Sequence, residues 1–107
     1  MIGETVTVLI DRPMGSRHPD DPALLYPLNY GYVPEILAGD GEEQDAYILG
    51  VEEPLERFTG QVIAVIHRLD DVEDKWVVAP PESSYTAEQI AEATAFQEQY
   101  FHTWIET

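Results

Sequence analysis

Two short stretches of this sequence concentrate carboxylates. In "LAGDGEEQDAYILGV", residues 37–51, Asp40, Glu42, Glu43 and Asp45 fall just ahead of an apolar run. In "DDVEDKWVVAP", residues 70–80, Asp70, Asp71, Glu73 and Asp74 lead into Lys75 and a second apolar run. Carboxylates this close repel one another unless water or a cation stands between them. Each stretch is therefore either a solvated turn or a place for metal. If the strand ends that carry them meet in space, their oxygens suit a hard cation, Mg²⁺ or Mn²⁺, which takes oxygen ligands and keeps part of its water shell. Lys75 turns that chemistry toward phosphate, because an ammonium beside a metal grips a phosphate oxygen while the metal acidifies a bound water. The plainer alternative is a surface Lys paired with a neighbouring acid, worth about 0–1 kcal/mol.

Arg12 and Arg17 flank the Gly15-Ser16 turn, where their guanidinium forks could meet a phosphate or simply face water. His18, His67 and His102 show no metal-ligand spacing, and His67, inside an apolar strand, fits a satisfied core or edge position. No GxSxG, P-loop or GxGxxG occurs, so serine nucleophiles and the common nucleotide cradles have no support. There is no cysteine, which excludes disulfides, thiolate metal sites and cysteine nucleophiles. Asp and Glu number 21 against 5 Lys and Arg, a formal net charge of −16, which disfavours nucleic acid and anionic membranes as partners. With no membrane-length apolar stretch and an N-terminus unlike a signal peptide, a cytoplasmic protein is the expectation.

The elements that must position these residues follow from the pattern around them. At 107 residues, residues 1–107 form a single expected domain. Alternating β-branched residues from Thr5 to Asp11 predict a strand that stops at Arg12-Pro13. Residues 13–22, rich in Pro, Gly, Ser and Asp, predict a loop. Residues 24–37, with three Tyr and two Pro, predict an irregular extended segment or edge strand, with Gly31 at a bulge or close backbone approach. Strands are expected at 45–51, 59–69 and 75–79, the last two joined as a hairpin by the acidic turn. Thr86 predicts an N-cap with Gln89 completing a capping box, and Ile90, Ala93, Phe96, Gln97, Tyr100, Phe101 and Trp104 then recur at helical spacing, predicting one helix over about 86–104. The expected fold is α+β: a small closed or strongly twisted β-barrel of about five strands with one long C-terminal helix.

In chain order, "VLIDRPMGS", "YPLNYGYVP", "DGEEQDAYILGV" and the acidic turn entering "DKWVVAP" resemble the soluble family I inorganic pyrophosphatases, over most of residues 6–80. The resemblance implies an OB-like barrel and Mg²⁺-dependent hydrolysis of pyrophosphate to two phosphates, with Mn²⁺ as an alternative metal. The family's Asp-x-Asp-x-x-Asp falls on Asp40, Glu42 and Asp45, with Glu in the middle place. Asp11 takes the place of a metal-linked Glu, Tyr30 that of a phosphate-side Tyr, Asp70 the first acid of a later metal pair, and Lys75 the lysine after it; the second acid falls on Glu73 or Asp74. The resemblance thus implies metal ligands at Asp11, Asp40, Asp45, Asp70, Glu73 and Asp74, a hydroxide held near Glu42, and Lys75 with Tyr30 on the departing phosphate. The family's hairpin that brings a Lys and an Arg to substrate has too few residues here, 14–24, leaving Arg17 and Arg12 as substitutes, and "YFHTWIE" lacks the family's C-terminal Lys. The expected partner is a small phosphate-containing substrate, with a homo-oligomer left open. A barrel that binds metal or phosphate without cleavage, or one that cleaves a different phosphoanhydride, is the alternative expectation.

Overall fold

A computed structural model describes residues 1–107. The strands are β1 (Thr5–Arg12), β2 (Arg17–His18), β3 (Asp21–Leu25), β4 (Asn29–Leu37), β5 (Glu43–Ile48), β6 (Arg57–Arg68), β7 (Lys75–Ala79) and β8 (Thr103–Glu106), with one helix, α1 (Ala87–Glu98), between β7 and β8. The main sheet runs β1-β4-β5-β7-β6-β8, and a further β1–β6 pairing closes it. The result is a five-stranded mixed barrel in which β5 and β7 run parallel and every other neighbour is antiparallel. Closure depends on the length of β6, which pairs with β1 through Arg57–Gln61, with β7 through Gln61–Ile66 and with β8 through Val65–Arg68.

Two apolar clusters explain why β5, β6 and β7 read as continuous apolar runs, the mark of strands covered on both faces. One face of these strands (Ala46, Ile48, Val62, Val65, Trp76, Val78) fills the barrel with Val6, Val8 and Val33 from β1 and β4. The other face (Tyr47, Ala64, Ile66, Val77, Ala79) packs with Tyr26, Leu28 and Tyr30 under Ile90 and Phe96 of α1. At about 25 cal/mol per Å² of apolar surface removed from water, this second layer makes the helix part of the core.

The expected elements differ from the observed ones in three places. Residues 24–37 supply no edge strand: β4 lies between β1 and β5, and the ladder slips between Val33 and Leu37, where Pro34 cannot donate and Glu35 adopts φ 68°. Gly31 does mark a close approach, since a Cβ there would collide with the Leu9 backbone. Residues 13–22 are not all loop, and residues 14–24 do hold a short hairpin: β2 and β3 turn around Pro19-Asp20, with Asp20 N–H donating to His18 Nδ1 at 3.0 Å. The helix ends at Glu98 rather than Trp104. Tyr100 and Phe101 close a last turn onto Gln97 and Glu98, and Thr103–Glu106 return as a strand whose exposure alternates with period 2. The capping box at Thr86 and Gln89 and the 70–74 hairpin turn are as expected.

Candidate active site

On the face of the barrel that α1 covers, a cleft of about 420 Å³ lies between the β2–β3 hairpin, the strands β4, β5 and β7, and the C-terminal end of α1. Arg12, Arg68 and Lys75 all line it, so three of the chain's five basic residues converge on one place in a protein of net charge −16.

Arg12 arrives at the end of β1, where Pro13 stops the ladder. Buried Asn29 holds that end, its Oδ1 accepting Met14 N–H at 2.9 Å and Leu55 N–H at 3.1 Å. The Arg12 guanidinium donates to Tyr26 Oη at 2.9 Å and lies 5.7 and 5.8 Å from the Tyr26 and Tyr30 ring centroids. No carboxylate pairs with it. A half-buried guanidinium resting on tyrosine faces without a counter-ion is suited to an incoming anion.

Lys75, first residue of β7, is 4% exposed. Its Nζ donates to Asp45 Oδ2 at 2.6 Å and Tyr30 Oη at 3.0 Å, and pairs with Glu73. Burial lowers its pKa against the pull of Asp45, and the like charge of Arg68 adds to the lowering. Burial, followed by the nearby Asp45 charge, raises the Tyr30 pKa well above its usual value, so the phenol stays protonated and donates to Asp45 Oδ2 at 2.8 Å. Both donors share Oδ2 of Asp45, which leaves Oδ1 without a side-chain donor.

Arg68 closes the cleft from the end of β6. Its Nε and Nη2 donate to the two oxygens of Glu98 at 2.9 and 2.7 Å, its Nη1 donates to Asp71 at 3.2 Å, and its guanidinium covers the Phe101 ring at 3.7 Å. Tyr47 Oη donates to the same Glu98 at 2.5 Å.

Of the residues singled out in the sequence, Arg12, Tyr30, Asp45, Glu73 and Lys75 meet in the cleft. Asp11 adjoins them: atoms crowding its carboxyl raise its pKa, Arg12 opposes this, and Asp45 adds its like charge. The others lie elsewhere. Asp40 accepts the Glu42 N–H of its own turn at 3.0 Å, and Glu42 itself is exposed. Asp70 accepts His102 N–H at 3.2 Å, while Asp74 turns away from Lys75 to accept from His67 Nδ1 at 2.9 Å. Exposed Arg17 donates to the Pro22 carbonyl at 2.9 Å. Arg68 and Glu98 were missed. Their signals were a basic residue ending an apolar strand, and an acid four and eight residues beyond Thr94 and Ile90 on one helix face.

These carboxylates do not fit a preformed metal cage. No group of three or more His, Asp or Glu side chains is gathered as a metal ion requires, and the ammonium of Lys75 stands between Asp45 and Glu73.

Comparison with known proteins agrees with this barrel and cleft. The family described as inorganic pyrophosphatase matches residues 11–106. The chain belongs to the inorganic pyrophosphatase family. It is thereby placed among the diphosphatase hydrolases. Solved pyrophosphatases share its fold: that of Neisseria gonorrhoeae at 23% identity and TM-score 0.69, over 92% of this chain and 74% of that one. The Ehrlichia chaffeensis inorganic pyrophosphatase aligns at 17% identity and TM-score 0.71, over 99% and 87%. The Coxiella burnetii pyrophosphatase aligns at 17% and 0.67, over 99% and 84%. No curated protein sequence matches the chain.

Proposed function

We propose that this chain, as one domain over residues 1–107, hydrolyses inorganic pyrophosphate to two phosphates in the cleft bearing Arg12, Tyr30, Asp45 and Lys75. The observation that carries the reading is the convergence of basic residues on that cleft in so acidic a chain. Lys75 and Arg68 are each held by carboxylates, whereas Arg12 is in no ion pair and is the charge that a tetra-anionic diphosphate meets first. Arg12, in no ion pair, takes one phosphate, and Lys75 with the Tyr30 hydroxyl orients the other. Asp45 Oδ1 accepts the proton of a water that attacks phosphorus, and the bridging P–O bond breaks toward the phosphate held by Lys75. A lysine with a lowered pKa is also the readier donor to that leaving oxygen.

The Mg²⁺ or Mn²⁺ dependence implied by the family is proposed only for an ion that arrives on the diphosphate, where it offsets phosphate charge, because Mg²⁺ is commonly held by one or two carboxylates plus substrate phosphates. Asp11 is the acid left for it, since Asp45 is engaged by Tyr30, Lys75 and the attacking water. No helix is long and apolar enough to cross a membrane, and a cytoplasmic location is part of the proposal.

Phosphate release from pyrophosphate with Mg²⁺ tests this, using wild type, Arg12→Gln and Lys75→Gln. The proposal expects release by wild type and losses of about a hundredfold or more at Lys75→Gln, as for removal of one donor to developing charge. Wild type that binds phosphate but releases none would establish the binding-module alternative.

A further inference from the structure

Arg68 has an unusual position for a residue that only ties a helix to a barrel. It is 8% exposed and yet lines the cleft beside Lys75. Glu98, 6% exposed, takes two of its three nitrogens, and Tyr47 fixes Glu98 in turn. With Phe101 against its face, the guanidinium has one orientation, and Nη1 is its single arm outside the Glu98 pair. That arm has only Asp71, at 3.2 Å, the longest and most exposed of its contacts. Arg17, the residue expected from the loop, is engaged within its own hairpin.

We infer that Arg68 is a second substrate-binding guanidinium, which Nη1 presents to a phosphate in exchange for Asp71, and that Glu98 is its positioning residue. The inference rests on the diphosphate reading of the cleft. A diphosphate has two groups to hold, and Arg12 from β1 and Arg68 from β6 approach the cleft from different strands with Lys75 on a third. Two cations held toward one opening favour a polyanion over a monoanion. A fixed planar fork supplies directed hydrogen bonds that an ammonium at the same place would not. Asp71 then acts as an internal competitor for the site.

The test separates binding from turnover. Calorimetric affinity for inorganic phosphate and for pyrophosphate, together with KM and kcat for pyrophosphate, is measured for wild type, Arg68→Lys, Asp71→Asn and Glu98→Gln. Loss of the fork at Arg68→Lys is expected to raise KM and weaken phosphate binding about tenfold with kcat within about threefold, because the contact is made equally in ground and transition states. Asp71→Asn, on an exposed turn, is expected to tighten phosphate binding about two- to fivefold by removing the competitor, as an ion pair of up to about 1 kcal/mol allows. That gain should vanish in the Arg68→Lys background. Glu98→Gln should raise KM more than it lowers kcat. Unchanged phosphate affinity in Asp71→Asn, with wild-type turnover intact, overturns the inference even if Arg68→Lys fails to fold. Absence of pyrophosphate cleavage by wild type, with the Asp71→Asn gain present, overturns the hydrolytic reading and leaves Arg68 as a phosphate ligand.

Discussion

The β4–β5 turn and the cleft hold the same kind of residue in opposite circumstances. In the turn, Asp40 and Glu43 accept backbone N–H groups at 3.0 and 3.2 Å and Glu42 faces water, so the charges there are solvated and meet no cation. In the cleft Asp45 and Glu73 meet buried Lys75, and behind it Glu98 meets buried Arg68. Carboxylate density therefore does not identify the site; what does is the strand face on which an acid sits and whether a cation is buried beside it. Mutations that treat the two regions alike should give unlike results.

The largest effect on stability is expected at Glu98. Glu98→Ala removes the buried partner of the Arg68 guanidinium and leaves it only Asp71, a loss of about 3–5 kcal/mol, and urea denaturation with folding followed by circular dichroism measures it. Asp71→Ala, cutting the exposed side of the same guanidinium, should cost no more than about 1 kcal/mol. Equal costs for the two would erase the distinction between buried and solvated acids.

On activity the sharpest contrast is between Asp45→Asn and Asp40→Asn. The first removes the carboxylate that meets Lys75 and Tyr30, and a loss of about a hundredfold or more in kcat/KM is expected, about 2.7 kcal/mol of transition-state stabilisation. Asp40→Asn and Glu42→Gln should each fall short of that loss by at least about tenfold.

His67 tests an intermediate case, a cation poised between two part-exposed acids. Its Nδ1 meets Asp74 at 2.9 Å and its Nε2 meets Glu106 at 2.8 Å, with the ring stacked on Trp104 at 4.3 Å. Burial lowers its pKa, but the bonds to Glu106 and Asp74 outweigh that and the net shift is upward. The folded chain thus holds the proton more tightly than the unfolded one, where His titrates near about 6.5. The stabilisation is complete below that pH and is lost as pH rises through the raised folded value. Melting temperatures across that window should fall in wild type relative to His67→Gln, and parallel profiles would mean that the two acids do not hold the proton.

The smallest effects are expected at the exposed turn acids, which meet no cation. Stability changes at Asp40→Asn and Glu42→Gln should stay within about 0.5 kcal/mol by the same denaturation experiment.

Much of the barrel was legible because its signals are local. Alternating residues in β1, the capping box at Thr86 and Gln89, and turn chemistry at 70–74 each specify an element without distant partners. The C-terminal strand was not, because Tyr100, Phe101 and Trp104 fit a helical stripe, and what decides between helix and strand is the free edge of β6 at Val65–Arg68. The cleft was half legible. Motif order pointed to Tyr30, Asp45 and Lys75, but Glu73 and Asp74 could not be told apart until the hairpin register sent one toward Lys75 and the other toward His67. Arg68 and Glu98 lie 30 residues apart and meet only when α1 packs on the barrel.

The most direct measurement is phosphate release from pyrophosphate and Mg²⁺ by wild type, Asp45→Asn and Asp40→Asn, each confirmed folded. The account predicts release by wild type, near-complete loss at Asp45→Asn and most of the activity retained at Asp40→Asn. No release by wild type, or equal losses at the two aspartates, would contradict it.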